Sequence, residues 1–146
     1  MKLRSRTRAS AYLAAAGLAV VVIVWTEKSL WRKADELAVR VYKISSKFPK
    51  EYLFDLTNQL RRAALSIPTN LAEGCASEHT GELLQFINIS NRSLSETRYL
   101  LEFAHKMGLI KSEEMSNLDC ACLEISKMLR SLAISIKKRK ADSRSN

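Results

Sequence analysis

Residues Gln59 to Gly74 read QLRRAALSIPTNLAEG, a strongly helical pattern with a proline in its middle. Leu53, Leu56, Leu60, Ala63, Ile67, Asn70 and Gly74 recur at alternating steps of three and four, the seam of one helix face. Beside it Gln59, Arg62, Ser66, Thr69 and Glu73 form a second seam that is wholly polar. Pro68 lacks a backbone N–H and presses its ring on the carbonyl four residues back, a cost of about 3 kcal/mol in an ordinary helix interior. Keeping proline there predicts a kink that brings Asn70, Glu73 and Gly74 close to a neighbouring helix.

On either side of this stretch the chain reads as further helices. Upstream, Leu30, Ala34, Leu37, Val41, Ile44 and Phe48 make an apolar seam that stops at Pro49. Asp55 is the expected N-cap of the proline-containing helix, and Gly74 its left-handed C-terminal residue. A third helix opens near Ser77 to Thr80, with Glu82 in its first turn. Its seam is Leu83, Ile87, Ser90, Leu94, Thr97, Leu101 and Ala104, and Gly108 followed by Leu109 and Ile110 predicts a Schellman stop. A fourth helix starts at Ser112, with Glu113 and Glu114 at its positive end and a seam of Met115, Leu118, Cys122, Ile125, Leu129, Leu132 and Ile136. Short connections between these elements predict an all-α, antiparallel up-down-up-down four-helix bundle.

Charge divides the chain of 146 residues into three parts: a hydrophobic N-terminal extension (1–26), the bundle (27–136) and a basic tail (137–146), expected to be disordered. The net charge is +9, of which the extension contributes +4, through Lys2, Arg4, Arg6 and Arg8, and the tail another +4. The middle carries 15 basic and 14 acidic residues, so the basicity belongs to the termini rather than to the surface of the fold. Residues 9–25 are uncharged, at the short edge of the roughly 17–25 apolar residues that a spanning helix needs. Two readings stand: an uncleaved single-pass membrane anchor, or residues upstream of the working start of a cytoplasmic protein.

The third helix is apolar on more than one side. Its extra row, Phe86, Ile89, Ser93, Glu96, Leu100, Phe103 and Met107, exceeds what one bundle core requires. Phe86, Ile89, Leu100, Phe103 and Met107 are therefore the expected contact with a second copy of the chain.

Several motifs resemble the 23S rRNA intervening-sequence protein family: Leu30-Trp31 with Lys33-Ala34, Val41-Tyr42, Phe48-Pro49-Lys50-Glu51, the block from Arg61 to Gly74, and Ser93-Leu94 with Glu96. The resemblance covers about residues 29–110, and the fourth helix only by pattern. It implies a four-helix bundle assembled as a ring-like homopentamer, some members being encoded within insertions in 23S rRNA genes. The related accessory bundle protein of diversity-generating retroelements, a basic pentamer, binds nucleic acid and a reverse transcriptase. By that likeness RNA or DNA, and a nucleic-acid enzyme, become expected partners beside the chain itself. This chain departs from the family in its N-terminal extension, in Asp55 where glycine is common, and in its nearly neutral middle.

Three side-chain sets carry the chemistry. Arg62, Ser66, Asn70 and Glu73, facing Ser93 and Glu96, are expected to form a structural polar network with a buried arginine between glutamates. Arg61 and Arg62, with Lys137, Lys138, Arg139 and Lys140, are the candidate nucleic-acid contacts, since clustered cations release the counterions of a phosphate backbone. Cys75, Cys120, Cys122, His79 and His105 do not make a metal site: Cys120 and Cys122 lie about 200° apart around one helix. No Ser/His/Asp set, glycine-rich phosphate loop or carboxylate pair appears, so no enzyme and no cofactor are expected. The reading is a non-enzymatic homo-oligomer that binds nucleic acid or a ribonucleoprotein. The alternative is a structural or protein-interaction oligomer, membrane-anchored if residues 9–25 serve as an anchor.

Overall fold

The computed structural model describes residues 28–143. The N-terminal extension, and with it the anchor reading of residues 9–25, lies outside the described residues. Among those described there are four α-helices and no strand: α1 over residues 28–45, α2 (Asn58–Ala76), α3 (Thr80–Lys106) and α4 (Ser112–Asp142). None of these helices is long and apolar enough to cross a membrane.

Apolar seams from all four helices meet in a single core. Every seam position read for the first helix is buried, Leu30 to Ile44 within α1 and Phe48 in the turn after its end, and so are Leu118, Cys122, Ile125, Leu129, Leu132 and Ile136 on α4. At about 25 cal/mol per Å² of apolar surface removed from water, ladders of this length dominate the stabilisation of each helix. Two positions on the α3 seam are polar, Ser90 and Thr97, and both are fully buried. Each hydroxyl is satisfied by a carbonyl, Ser90 donating to Ile67 at 3.1 Å and Thr97 to Ser93 at 2.8 Å.

The helix ends follow local chemistry, with three corrections. Gly108 has φ +76°, and the bonds Leu109 N–H to Ala104 carbonyl (3.0 Å) and Gly108 N–H to His105 carbonyl (2.9 Å) complete the expected Schellman turn. His105 Nδ1 donates to the Ile110 carbonyl at 2.7 Å and ties the turn down. Asp55, however, does not cap α2. It lies inside a π-helical turn, Leu53–Thr57, in which the Asn58 N–H reaches the Leu53 carbonyl. The Asp55 carboxylate accepts from the Leu56 N–H, and Leu53 faces solvent instead of joining the seam. At the other end α2 runs past Gly74 to Ala76, and Gly74 is not left-handed. The third correction concerns the expected disordered tail, because α4 continues as helix through Lys137–Lys140 to Asp142.

Gly74 is needed for space. A Cβ at that position would sit 2.8 Å from Phe86 Cβ and 3.1 Å from Leu83 Cδ1, so glycine is what lets α3 approach α2 here. Pro68 lies buried within an unbroken α2. Around it three consecutive carbonyls accept side-chain donors: Leu65 from Thr69 (2.8 Å), Ser66 from Asn70 Nδ2 (2.7 Å) and Ile67 from Ser90. These bonds bind the turn that the missing N–H weakens.

Candidate nucleic-acid interface

The polar residues between α2 and α3 form a smaller network than the sequence suggests. Ser66 and Ser93 hydroxyls share a hydrogen bond of 2.9 Å, and Asn70 Nδ2 donates to Ser66 Oγ at the same distance. Gln59 Nε2 donates to Glu96 Oε1 at 3.2 Å, in an exposed pair near the start of α2. Arg62 and Glu73 are not members. Both are exposed, and neither side chain makes a hydrogen bond or ion pair among the described residues. The buried arginine between glutamates is thereby corrected. Gln59 and Ser66 of the same seam do reach α3, but the Arg62 side chain stays exposed at the rim of that contact and is not drawn in between carboxylates.

Arg61 is held in place by α1. Its Nε donates to Ser45 Oγ at 2.8 Å, and its guanidinium lies 5.0 Å from the centre of the Tyr42 ring. It therefore joins α2 to α1, while Arg62 on the outer face stays available to a ligand. A groove of about 770 Å³ crosses that face, with Arg61 and Arg62 on its wall and Asp55 and Glu96 nearby.

The second basic set sits elsewhere. Lys137, Lys138 and Arg139 are exposed and Lys140 half-buried, in consecutive positions of α4. Steps of 100° spread four such residues around the whole helix, giving a charged end rather than a charged face. Two clefts adjoin them. One lies between Asn88 and Asn91 of α3 and Arg130 and Lys137 of α4; the other joins Thr80 and Leu83 to Arg139 and Lys140. Arg61 and Arg62 share their groove with Ser93 and Glu96, whereas Lys137–Lys140 lie level with Thr80 to Leu84. At 1.5 Å per residue along α3 the two sets are on the order of 20 Å apart. The structure does not bring them together.

The extra row of α3 divides in the same way. Leu100 is 7% exposed and belongs to the core of its own chain, which removes it from the expected contact with a second copy. Phe86 and Ile89 are half-buried, Phe86 lying against Gly74. Phe103 and Met107 do face solvent, and Tyr99 joins them at 62% exposure. Tyr99 was missed, although its place one helical turn before Phe103 was the signal that would have found it. Phe54, 88% exposed on the π-helical turn, was missed too, because it follows the short run after Pro49 and fits no seam.

The cysteines and histidines stay apart, and no group of three or more metal-ligating side chains occurs among the described residues. Cys122 is buried on the α4 seam, and burial pushes its thiol from an ordinary value of 9.0 up to about 11. It is held neutral, as a small apolar side chain. Arg98 Nε and Nη2 donate to the Asp119 carboxylate at 2.5 and 3.2 Å, which raises the Arg98 pKa further.

Fold and site together define a small all-α protein with one shared apolar core and a cationic helix end. The chain belongs to the 23S rRNA-intervening sequence protein family, whose model matches residues 26–131. It is similar in structure to a protein with unknown function from the S23 ribosomal protein family of Bacteroides thetaiotaomicron VPI-5482. The two are 25% identical with a TM-score of 0.69, over 74% of this chain and 97% of the other. No curated protein matches the chain.

Proposed function

We propose that this chain is a non-enzymatic homo-oligomer that binds nucleic acid, RNA foremost, through the cationic end of α4. The observation that carries the reading is the placement of Lys137, Lys138, Arg139 and Lys140 on an ordered helix, beside clefts that Arg130, Asn88 and Asn91 also line. Cations fixed on a helix keep their spacing, so a phosphate backbone meets them at little further ordering cost. Family membership supports the RNA connection, by the family's name alone. A nucleic-acid enzyme is a further partner, and a cytoplasmic location suits such a role.

The proposed assembly is an antiparallel up-down-up-down bundle repeated in a ring-like homopentamer. Pairings between helices support the antiparallel part. Gln59 meets Glu96 and Gly74 meets Phe86 across α2 and α3, and Arg98 meets Asp119 while Thr80 shares a cleft with Arg139 across α3 and α4. The exposed stripe of Tyr99, Phe103 and Met107 supports self-association, since an apolar stripe at i, i+4, i+8 gains by being covered. The same stripe favours the second reading, an oligomer for protein interaction alone.

The test is salt-dependent anisotropy with a labelled single-stranded RNA. Binding is expected at low salt and is expected to weaken linearly on a log–log plot, by about 0.7 per phosphate contacted. Exchanging Lys137, Lys138, Arg139 and Lys140 together for Gln should flatten that slope. No binding at low salt by the wild-type chain leaves the protein-interaction reading.

A further inference from the structure

We propose that the groove over the outer face of α2 takes an unpaired nucleobase of a single-stranded RNA, with Phe54 as its stacking ring. The inference rests on the nucleic-acid reading and adds a site that the cationic helix end does not contain. Its starting point is Phe54, an aromatic ring 88% exposed at the rim of a groove of about 770 Å³. The ring is carried there by the π-helical turn Leu53–Thr57, whose wider backbone bond sets Phe54 outside the seam that Leu56 and Leu60 follow into the core. Tyr42 borders the same groove, but its ring already carries Arg61, which leaves Phe54 as the free platform.

The rest of the groove suits a base better than its competitors. Its charges nearly balance, Arg61 and Arg62 against Asp55 and Glu96, so a phosphate chain gains little by entering. An apolar side chain from a second copy would cover Asn58 and Arg62, whose side chains make no hydrogen bond among the described residues, and would strand them. A heteroaromatic base is neutral and flat and carries donors and acceptors on its edge. It stacks on Phe54 while the Asn58 amide and the Arg62 guanidinium meet that edge. Glu96 and Ser93, on the far wall, are held by Gln59 and Ser66 and set the groove's width.

The experiment compares two labelled RNA strands of equal length, one intact and one abasic, against the full chain and its Phe54→Ala and Asn58→Ala variants. The wild type is expected to bind the intact strand more tightly than the abasic one, and Phe54→Ala to lose roughly tenfold on the intact strand only. Asn58→Ala is expected to lose a smaller factor, again only where bases are present. Equal losses on both strands, or no loss with Phe54→Ala, overturn the base site while leaving binding through α4 intact. Failure of the wild type to bind either strand at low salt overturns both. Light scattering guards the remaining case: a smaller assembly for Phe54→Ala overturns the base site and places the ring in a contact between copies.

Discussion

The contact between α2 and α3 and the attachment of α4 are built by opposite means. Where α2 meets α3, small and polar pairings are set among the apolar core residues: Gly74 under Phe86, Ser66 bonded to Ser93, Ser90 donating into the turn before Pro68. Nothing there tolerates a slide, because a shift by one residue breaks each pairing at once. The α4 seam is an apolar ladder from Leu118 to Ile136, flanked by two exposed ion pairs, Lys33 with Glu124 and Arg98 with Asp119. Such a seam holds by area and says little about its outer surface. That freedom lets the last turns of α4 carry four consecutive cations without disturbing the fold.

Substitutions that probe each side should separate the two modes. The largest effect is expected from Leu129→Ala in the ladder, about 2–5 kcal/mol lost from unfolding in urea, since the residue is 1% exposed and leaves a cavity. Gly74→Ala should cost less, about 1 kcal/mol net, because crowding of Phe86 is partly offset by the better helix propensity of alanine. A Phe86→Leu partner should leave most of that loss in place, because the crowded atom, Phe86 Cβ, is common to both side chains. Cys122 adds a pH signature to the ladder. Its folded thiol binds the proton more tightly than the unfolded one, so its contribution is complete below pH 9.0 and fades as pH rises towards about 11. Cys122→Ala should remove that part of the alkaline loss, read as the difference between the two pH–stability curves. Least affected should be Asp119→Asn, within about 0.5 kcal/mol, because its pairing with Arg98 is exposed and screened.

The same contrast explains what the sequence disclosed. Apolar ladders repeat, so the α1 and α4 seams were legible residue by residue, as was the Schellman turn at Gly108, whose glycine admits the required φ. Gly74 was legible in part: its close approach to a neighbouring helix was expected and is seen against Phe86, whereas the left-handed stop that a glycine near a helix end suggests is not formed. Arg62 was misplaced because a polar seam beside an apolar one does not say which part of it another helix covers. Leu100 was misplaced for the reverse reason, since the α3 core face is wider than one row. The helical state of Lys137–Lys140 escaped notice because a run of cations looks solvated, whether or not Ile136 anchors the turn before it.

The central claim is an oligomer that carries nucleic acid, and it is tested most directly by measuring the mass of the purified full chain together with its absorbance ratio at ultraviolet wavelengths. From a chain of 16.5 kDa the account predicts a particle of about five copies, with excess nucleic-acid absorbance that high salt removes. A 16.5 kDa monomer with the spectrum of protein alone at low salt would contradict it.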